Sequence, residues 1–349
     1  MAFVFRKSNY FIPGTYQWIK PSIFPGAGPF GSTYLQSIVT CIGPGCGGAG
    51  GNANQNQSGG TNGGNGGGAG GYAQATYLPA ALLALEDIVV AAGTPGGIGG
   101  QIINASTTAV AGASTPNISS RISKFGAHIT VNGPAGTASS GGATIGTVVG
   151  GSNVINVVGG WGLTALNGTP EQGRIGPGFN QPGLFLWTGQ GNIGGAAGAC
   201  TSFLAQMHGR FGGNGGLVAL PNGSFPSVTG GLGVVGPAAS PGLTSGCGGG
   251  ASAALTSIIN QNGGKGADAT PNSGSGGGGG GSVTNFSAVP VGTLTAGNGG
   301  RGSDGAVQIV DVFTLPPAPN VTYFQWDLVT WFHMLNQSRP ISVTGRYQS

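Results

Sequence analysis

The sequence predicts an all-β protein, and three observations carry that reading. Only one short segment has a helical composition, short β-branched and aromatic runs recur, and the stretches between those runs are dominated by glycine. The chain holds 78 glycines and 22 prolines among 349 residues, residues that disfavour helix and strand interiors; ordinary chains carry roughly 12% of the two together. Hydrophobic residues still make up 38% and charged residues 5%. There is material for a core and little for charge-driven disorder.

The strands are taken in order. A β-branched and aromatic run at 15–19 (TYQWI) follows Pro13-Gly14, and a second at 34–42 (YLQSIVTCI) ends at Gly43-Pro44-Gly45. Further strands are expected at 73–78 (AQATYL) and 88–92 (IVVAA), with 79–87 (PAALLALED) as a helical turn or two crossing between them. Another is expected at 125–131 (FGAHITV). The last, 306–313 (AVQIVDVF), sets Val307 and Ile309, with Asp311, on one face and Gln308, Val310 and Val312 on the other. These runs suit one antiparallel β-sandwich.

Between them lie inserts at 43–71, 93–100, 189–216, 246–250 and 263–305, mainly Gly with Asn, Ala and Ser. Two readings compete: flexible linker, or polyproline-II-type helices of glycine packed side by side, where a Cβ would block the approach. Apolar anchors such as Ile98, Ile193, Leu217 and Val218 favour packed helices, and no G-X-Y register supports collagen.

Composition also bounds function. Acid–base, metal and phosphate chemistry draw on residues that are scarce here. His128, His208 and His333 are isolated in sequence, and the 11 Lys and Arg form no basic cluster, so nucleic acid is not an expected partner. Cys41 and Cys46 lack the CxxC or neighbouring His of a zinc site. With Cys200 and Cys247 they read as free thiols, because the N-terminal segment lacks the features of a signal peptide. The sequons beginning at Asn56, Asn104 and Asn117 then read as by-products of composition. No apolar stretch reaches the roughly 20 residues of a membrane helix, so no membrane insertion is expected. Gly297, Gly299 and Gly302 match a dinucleotide fingerprint, but a strand-like segment follows where a helix is needed. Asp268, Asp304 and Asp311 suggest calcium only through a single near-copy of the β-roll repeat, and turn aspartates explain them better. No cofactor and no metal are expected. Paired carboxylates for glycan cleavage are missing, since Glu86, Asp87 and Glu171 are the only acids before residue 268.

Several segments together resemble a known family. These are GTYQWIKP (14–21), YLQSIVTCIGPGCGGAGG (34–51), GGAGGYAQATYLPAALLALEDIVVAAGTPGG (67–97), SKFGAHITVNG (123–133) and GNGGRGSDGAVQIVDVF (297–313). Their order resembles the glycine-rich domain of bacteriophage tail fibre and tail-associated proteins. The layout is also similar to the glycine-rich domain of anaplastic lymphoma kinase, a jelly-roll sandwich with inserted polyglycine helices. The resemblance implies a jelly-roll-like antiparallel β-sandwich carrying a glycine-helix bundle over 1–313, with an unaligned insert at about 134–245. It implies a non-enzymatic virion protein, made in the host cytoplasm, in a tail fibre, tail tip or spike. The expected partners are other virion proteins, a host surface glycan or protein, and further copies of the chain, a trimer by analogy to fibres. A capsid decoration or head-fibre protein with no receptor role is the rival.

Two segments hold the candidate site residues. Trp161, Phe179, Trp187, Arg210 and Phe211, with Phe185, Phe203 and His208, form an aromatic-rich stretch that suits receptor contact by stacking and equally suits core packing. After the Pro-rich 314–319, the C-terminal segment to 349 carries Phe324, Trp326, Trp331 and Phe332, a segment too short to fold alone and expected to dock on a subunit or virion partner.

Overall fold

The structure, a computed structural model, describes residues 2–22, 31–55, 63–103, 110–134, 143–159, 162, 252–254, 261–269, 271–285 and 293–315. Its strands in chain order are β1 (Ala2–Tyr10), β2 (Gly14–Ile19), β3 (Thr33–Ile42), β4 (Ala53–Gln55), β5 (Tyr72–Tyr77), β6 (Leu85–Val90), β7 (Gln101–Ile103) and β8 (Ile122–Phe125). They continue as β9 (Ile129–Asn132), β10 (Thr147–Val148), β11 (Ser152–Val157), β12 (Ser252–Ala254), β13 (Gln261–Asn262), β14 (Val283–Asn285), β15 (Thr293–Thr295) and β16 (Ala306–Leu315). A single 3-10 turn, Pro79–Ala81, is the only helix among the described residues, so the fold is all-β there.

Two five-stranded antiparallel sheets are built from these strands. The first runs β1-β16-β3-β5-β11 and the second β10-β9-β8-β6-β2. They share one hydrophobic core. Val39, Cys41, Ala73, Ala75, Tyr77, Val307 and Ile309 come from the first sheet, and Trp18, Ile88, Val90, Phe125, Ile129 and Val131 from the second. Trp18 meets Phe125 edge-on at 5.6 Å between ring centroids. Each fully buried Ile, Phe or Val of this kind stabilises by about 2 kcal/mol. Alternation decides which residues enter: in β6, Glu86, Ile88 and Val90 point inward while Leu85 and Asp87 face solvent. On β16, Val307, Ile309 and Asp311 are all fully buried, as the alternation expected.

Two local expectations are corrected, and one strand is added. The segment 79–87 makes only the 3-10 turn, and β6 begins at Leu85, because the inward positions of an alternating strand win over helix propensity. The run 125–131 is two strands of a hairpin, β8 and β9, turned at Gly126, whose φ of +50° lies in the left-handed region. The N-terminal residues form β1, which pairs with β16 along its whole length from Ala2 opposite Leu315 to Tyr10 opposite Val307. Within the expected insert, β10 and β11 each supply an edge strand of a five-stranded sheet.

Two small sheets complete the described fold. They are β12-β14-β4, all parallel, and β13-β15-β7. Their shared core is Ala53, Ile102, Val283, Leu294 and Ala296.

Candidate functional site

The small sheets and the large ones are joined by glycine tracts, and the hydrogen bonds of one tract define the arrangement. In 43–53, the amides of Gly45, Gly48 and Gly51 donate to the carbonyls of Ser303, Gly300 and Gly297. Those of Gly43, Cys46 and Ala49 donate to Gly71, Gly68 and Asn65, and those of Gly50 and Ala53 to Ala113 and Val110. The carbonyls of Gly45, Gly48 and Gly51 accept from Thr94, Gly97 and Gly100, and those of Ala49 and Asn52 from Gly280 and Val283. Direction thus repeats every third residue, and five other tracts surround this one.

That crowding explains the glycines. A Cβ at Gly48 would lie 2.0 Å from the carbonyl oxygen of Gly278, and one at Gly50 2.1 Å from that of Ile98. Side chains survive at Cys46, Ala49 and Asn52, again every third residue. The Cys46 thiol is buried 3.1 Å from Thr115 Oγ1, while Thr94 Oγ1 accepts from the Gly47 amide and Thr115 Oγ1 donates to the Gly47 carbonyl. Two threonine hydroxyls of neighbouring tracts therefore satisfy this buried backbone unit. Cys41 and Cys46 are both free thiols, and burial pushes the Cys41 thiol up, away from reactivity. Ile98 does not act as an apolar anchor, since it is 71% exposed.

At the end remote from the large sheets the tracts turn into the small ones. Gln55, Asn285 and Ala254 end side by side in three parallel strands. Beside them Ile103 ends opposite the start of β15 at Thr293, and Val110 pairs with Ala53. The described residues that flank 56–62, 104–109, 255–260 and 286–292 therefore lie together at this one end. Its described rim holds Gln101, Ile103 and Val110, all exposed, with Gln101 Nε2 donating to Thr295 Oγ1 at 3.4 Å. Rigid elements carrying several clustered loops are the common platform of binding sites. This loop-bearing end is the candidate site.

The flank of the tracts is polar and charge-balanced. Asn298, Arg301 and Asp304 are spaced by three; Arg301 Nη2 holds both Asp304 oxygens at 2.7 and 2.9 Å, and Lys265 Nζ lies 3.2 Å from Asp268. The Arg301 amide donates to Asp268 Oδ1, and the Gly93 and Gly99 amides to Asp304 and Asn298 side chains. Carboxylates here close tract amides that would otherwise lack acceptors. Gly297, Gly299 and Gly302, the fingerprint glycines, each meet backbone carbonyl atoms at 1.9–2.4 Å from a notional Cβ, and β16 follows them.

Two polar clusters lie between the large sheets. Arg6, Asp311 and Ser37 stand opposite one another across β1, β16 and β3. Arg6 Nη2 reaches Asp311 Oδ2 at 2.7 Å and the Ile19 carbonyl of the second sheet at 3.2 Å, Ser37 Oγ donates to Asp311, and Tyr34 bonds Ser37. Burial raises Asp311 above the usual carboxylate value, against the Ser37 hydrogen bond and the Arg6 charge, and pushes Tyr34 up to about 12. In the second cluster the buried Glu86 accepts from the Leu83 amide at 2.7 Å and pairs with His128 Nε2 at 3.0 Å. His128 packs on Tyr77, 5.0 Å between centroids. Sequence reading left His128 isolated; the alternation that turns Glu86 inward is the signal that would have found its partner.

The aromatic stretch (Trp161, Phe179, Phe185, Trp187, Phe203, His208, Arg210, Phe211) and the C-terminal group (Phe324, Trp326, Trp331, Phe332) lie outside the described residues, as do Cys200 and Cys247. Asp268, Asp304 and Asp311 are separated, each against a different protein cation. No family model matches the chain, and no curated protein sequence matches it.

Proposed function

We propose that the chain is a non-enzymatic structural subunit of a bacteriophage virion, a tail fibre, tail-tip or spike component that presents the loop-bearing end to a host surface. The observation that carries this reading is that the described residues flanking four connections lie at one end of a body held by backbone hydrogen bonds. The finer fold belongs to the same proposal. The two large sheets form a jelly-roll-like sandwich, and the tracts form an inserted polyproline-II-type bundle. Such a helix rises about 3.1 Å per residue, so a ten-residue tract carries the loops roughly 30 Å from the sandwich.

The four connections are uncharged, and two are rich in hydrogen-bonding groups: 56–62 reads NQSGGTN and 104–109 reads NASTTA, while 255–260 (LTSIIN) and 286–292 (FSAVPVG) are more apolar. Asn, Ser and Thr suit the hydroxyls of a glycan or a polar protein surface. Contacts of this kind are individually weak and act together through many copies on one particle. Of the described carboxylates, Glu86, Asp268, Asp304 and Asp311 are engaged in internal pairs and Asp87 faces solvent, which supports a structural role over catalysis.

The test compares purified full-length protein with a variant whose 104–109 and 286–292 are replaced by Gly-Ser sequence of equal length. Binding to host cells is expected for the first and reduced at least tenfold for the second. Failure to bind cells, with rebinding to particles that lack the protein, overturns the host-surface reading in favour of a shell-stabilising decoration subunit.

A further inference from the structure

The two large sheets carry an apolar surface at the end remote from the tracts. β5 stops at Tyr77 and β6 starts at Leu85, and the crossover 78–85 reads LPAALLAL, without one polar side chain. Leu82 alone in it is buried. Leu78, Leu83 and Leu85 are 62%, 67% and 50% exposed, and Ala80, Ala81 and Ala84 are exposed beside them. Ile19, 66% exposed, stands opposite Leu85 in the β2–β6 ladder and extends the same surface. Local contacts fix the crossover in place. Lys20 Nζ donates to the carbonyls of Pro79 and Leu82 at 3.2 and 2.8 Å, the Lys20 amide donates to the Ala84 carbonyl, and the Leu83 amide donates to Glu86. Single exposed apolar residues are ordinary on a protein surface, but a contiguous run held rigid marks an interaction site.

We propose that this surface is the docking site of the chain's own C-terminal segment, with residues 323–328 (YFQWDL) laid across the crossover. Position, reach and pattern choose this occupant. β16 ends at Leu315 at the same end of its sheet, where Thr314 stands opposite Thr33 at the start of β3, and the 3-10 turn of the crossover lies against β3. β16 and β5 are the two neighbours of β3, which sets them about 10 Å apart. The spacer 316–323 is Pro-rich, and at about 3.1 Å per residue it spans roughly 25 Å, enough to bring Phe324 to the crossover. A segment tethered this closely has an effective concentration of about a millimolar, which favours its own surface over that of a second copy in dilute solution. In sequence, Phe324, Trp326 and Leu328 alternate with Gln325 and Asp327. An extended segment with that pattern offers one apolar edge to the leucines and one polar edge to water. The inference concerns the end opposite the loop-bearing one and stands whether or not that end meets a host surface.

The test uses the full chain with the photoreactive residue p-benzoylphenylalanine in place of Leu83, illuminated in a mixture of isotopically light and heavy copies. Mass spectrometry is expected to find residue 83 joined to a peptide within 320–332 of the same copy. A link to that peptide of a second copy, a link to 23–30, whose flanks also lie at this end, or no link at all overturns the proposal. In a second arm, chymotrypsin cleavage after residues 323–332 is expected to be at least tenfold faster in Leu83→Lys with Leu85→Lys than in the wild type, because cleavage tracks the undocked population. Equal rates overturn the proposal as well. The photochemical arm does not depend on how the lysine variant folds. Loss of cell binding in the loop variant leaves both readouts unchanged, so this reading and the host-surface reading fail separately.

Discussion

At the scale of single residues, neighbouring positions in one tract have opposite tolerances. Gly299 faces the Gly48 carbonyl, 1.9 Å from where a Cβ would sit, whereas Asn298 is exposed and only closes the Gly99 amide with its side chain. Gly299→Ala is expected to destabilise by about 3 kcal/mol, since rigid backbone has to move, and Asn298→Ala by about 1 kcal/mol. Urea melts of the two variants check this, and equal losses would contradict it. Asp311 gives a pH signature. Burial raises its folded-state value above the ordinary 3.8, so the folded chain holds this proton more tightly than the unfolded chain. Its contribution to stability is full below the ordinary value and is lost as pH rises through the raised one. In melts from about pH 4 upward, the Asp311→Asn variant is expected to gain on the wild type across that window. A difference that does not change with pH would show that Asp311 titrates normally. Both residues were partly legible in sequence: alternation turns Asp311 inward, but nothing local shows that Arg6, about three hundred positions away, faces it.

Elements of the large sheets were readable where β-branched and aromatic residues alternate between turn residues, as in β2, β3, β5 and β16. Reading failed where the element depends on a distant partner. β1 shows as a strand only once β16 gives it a ladder, and the start of β6 looks helical until Glu86 finds His128 and the Leu83 amide. The tracts posed the hardest choice, because glycine composition alone fits both a flexible linker and a packed layer. Their hydrogen bonds separate the two. Amides of Gly45, Gly48, Gly51, Gly97 and Gly300 all donate to other tracts, so hydrogen exchange there is expected to be as slow as in β3 and β16. Exchange at the rate of an open chain would place these residues in linkers.

For the whole molecule, the order of the chain and the order in space are unrelated. The last described strand lies between the first and third, and tract 43–53 touches neighbours drawn from five regions as far along as 303. Ordering such a body closes many long loops at once, so folding is expected to be slow and highly cooperative. The same long-range closure explains why the loop-bearing end was invisible in sequence. Residues 56–62, 104–109, 255–260 and 286–292 share no motif, and the described residues beside them come together only because the tracts run side by side.

The rotation of hydrogen-bond direction along a tract has a consequence for how this protein varies in length. A tract addresses its neighbours in a fixed cycle of three, so its length carries a phase. One added residue shifts every later position by one place in that cycle and drives side chains into carbonyls that only glycine can approach. Three added residues complete the cycle and restore every contact, provided the surrounding tracts lengthen in step. A tract is therefore expected to tolerate insertion only in whole cycles of three residues, a periodicity that its hydrogen bonds impose.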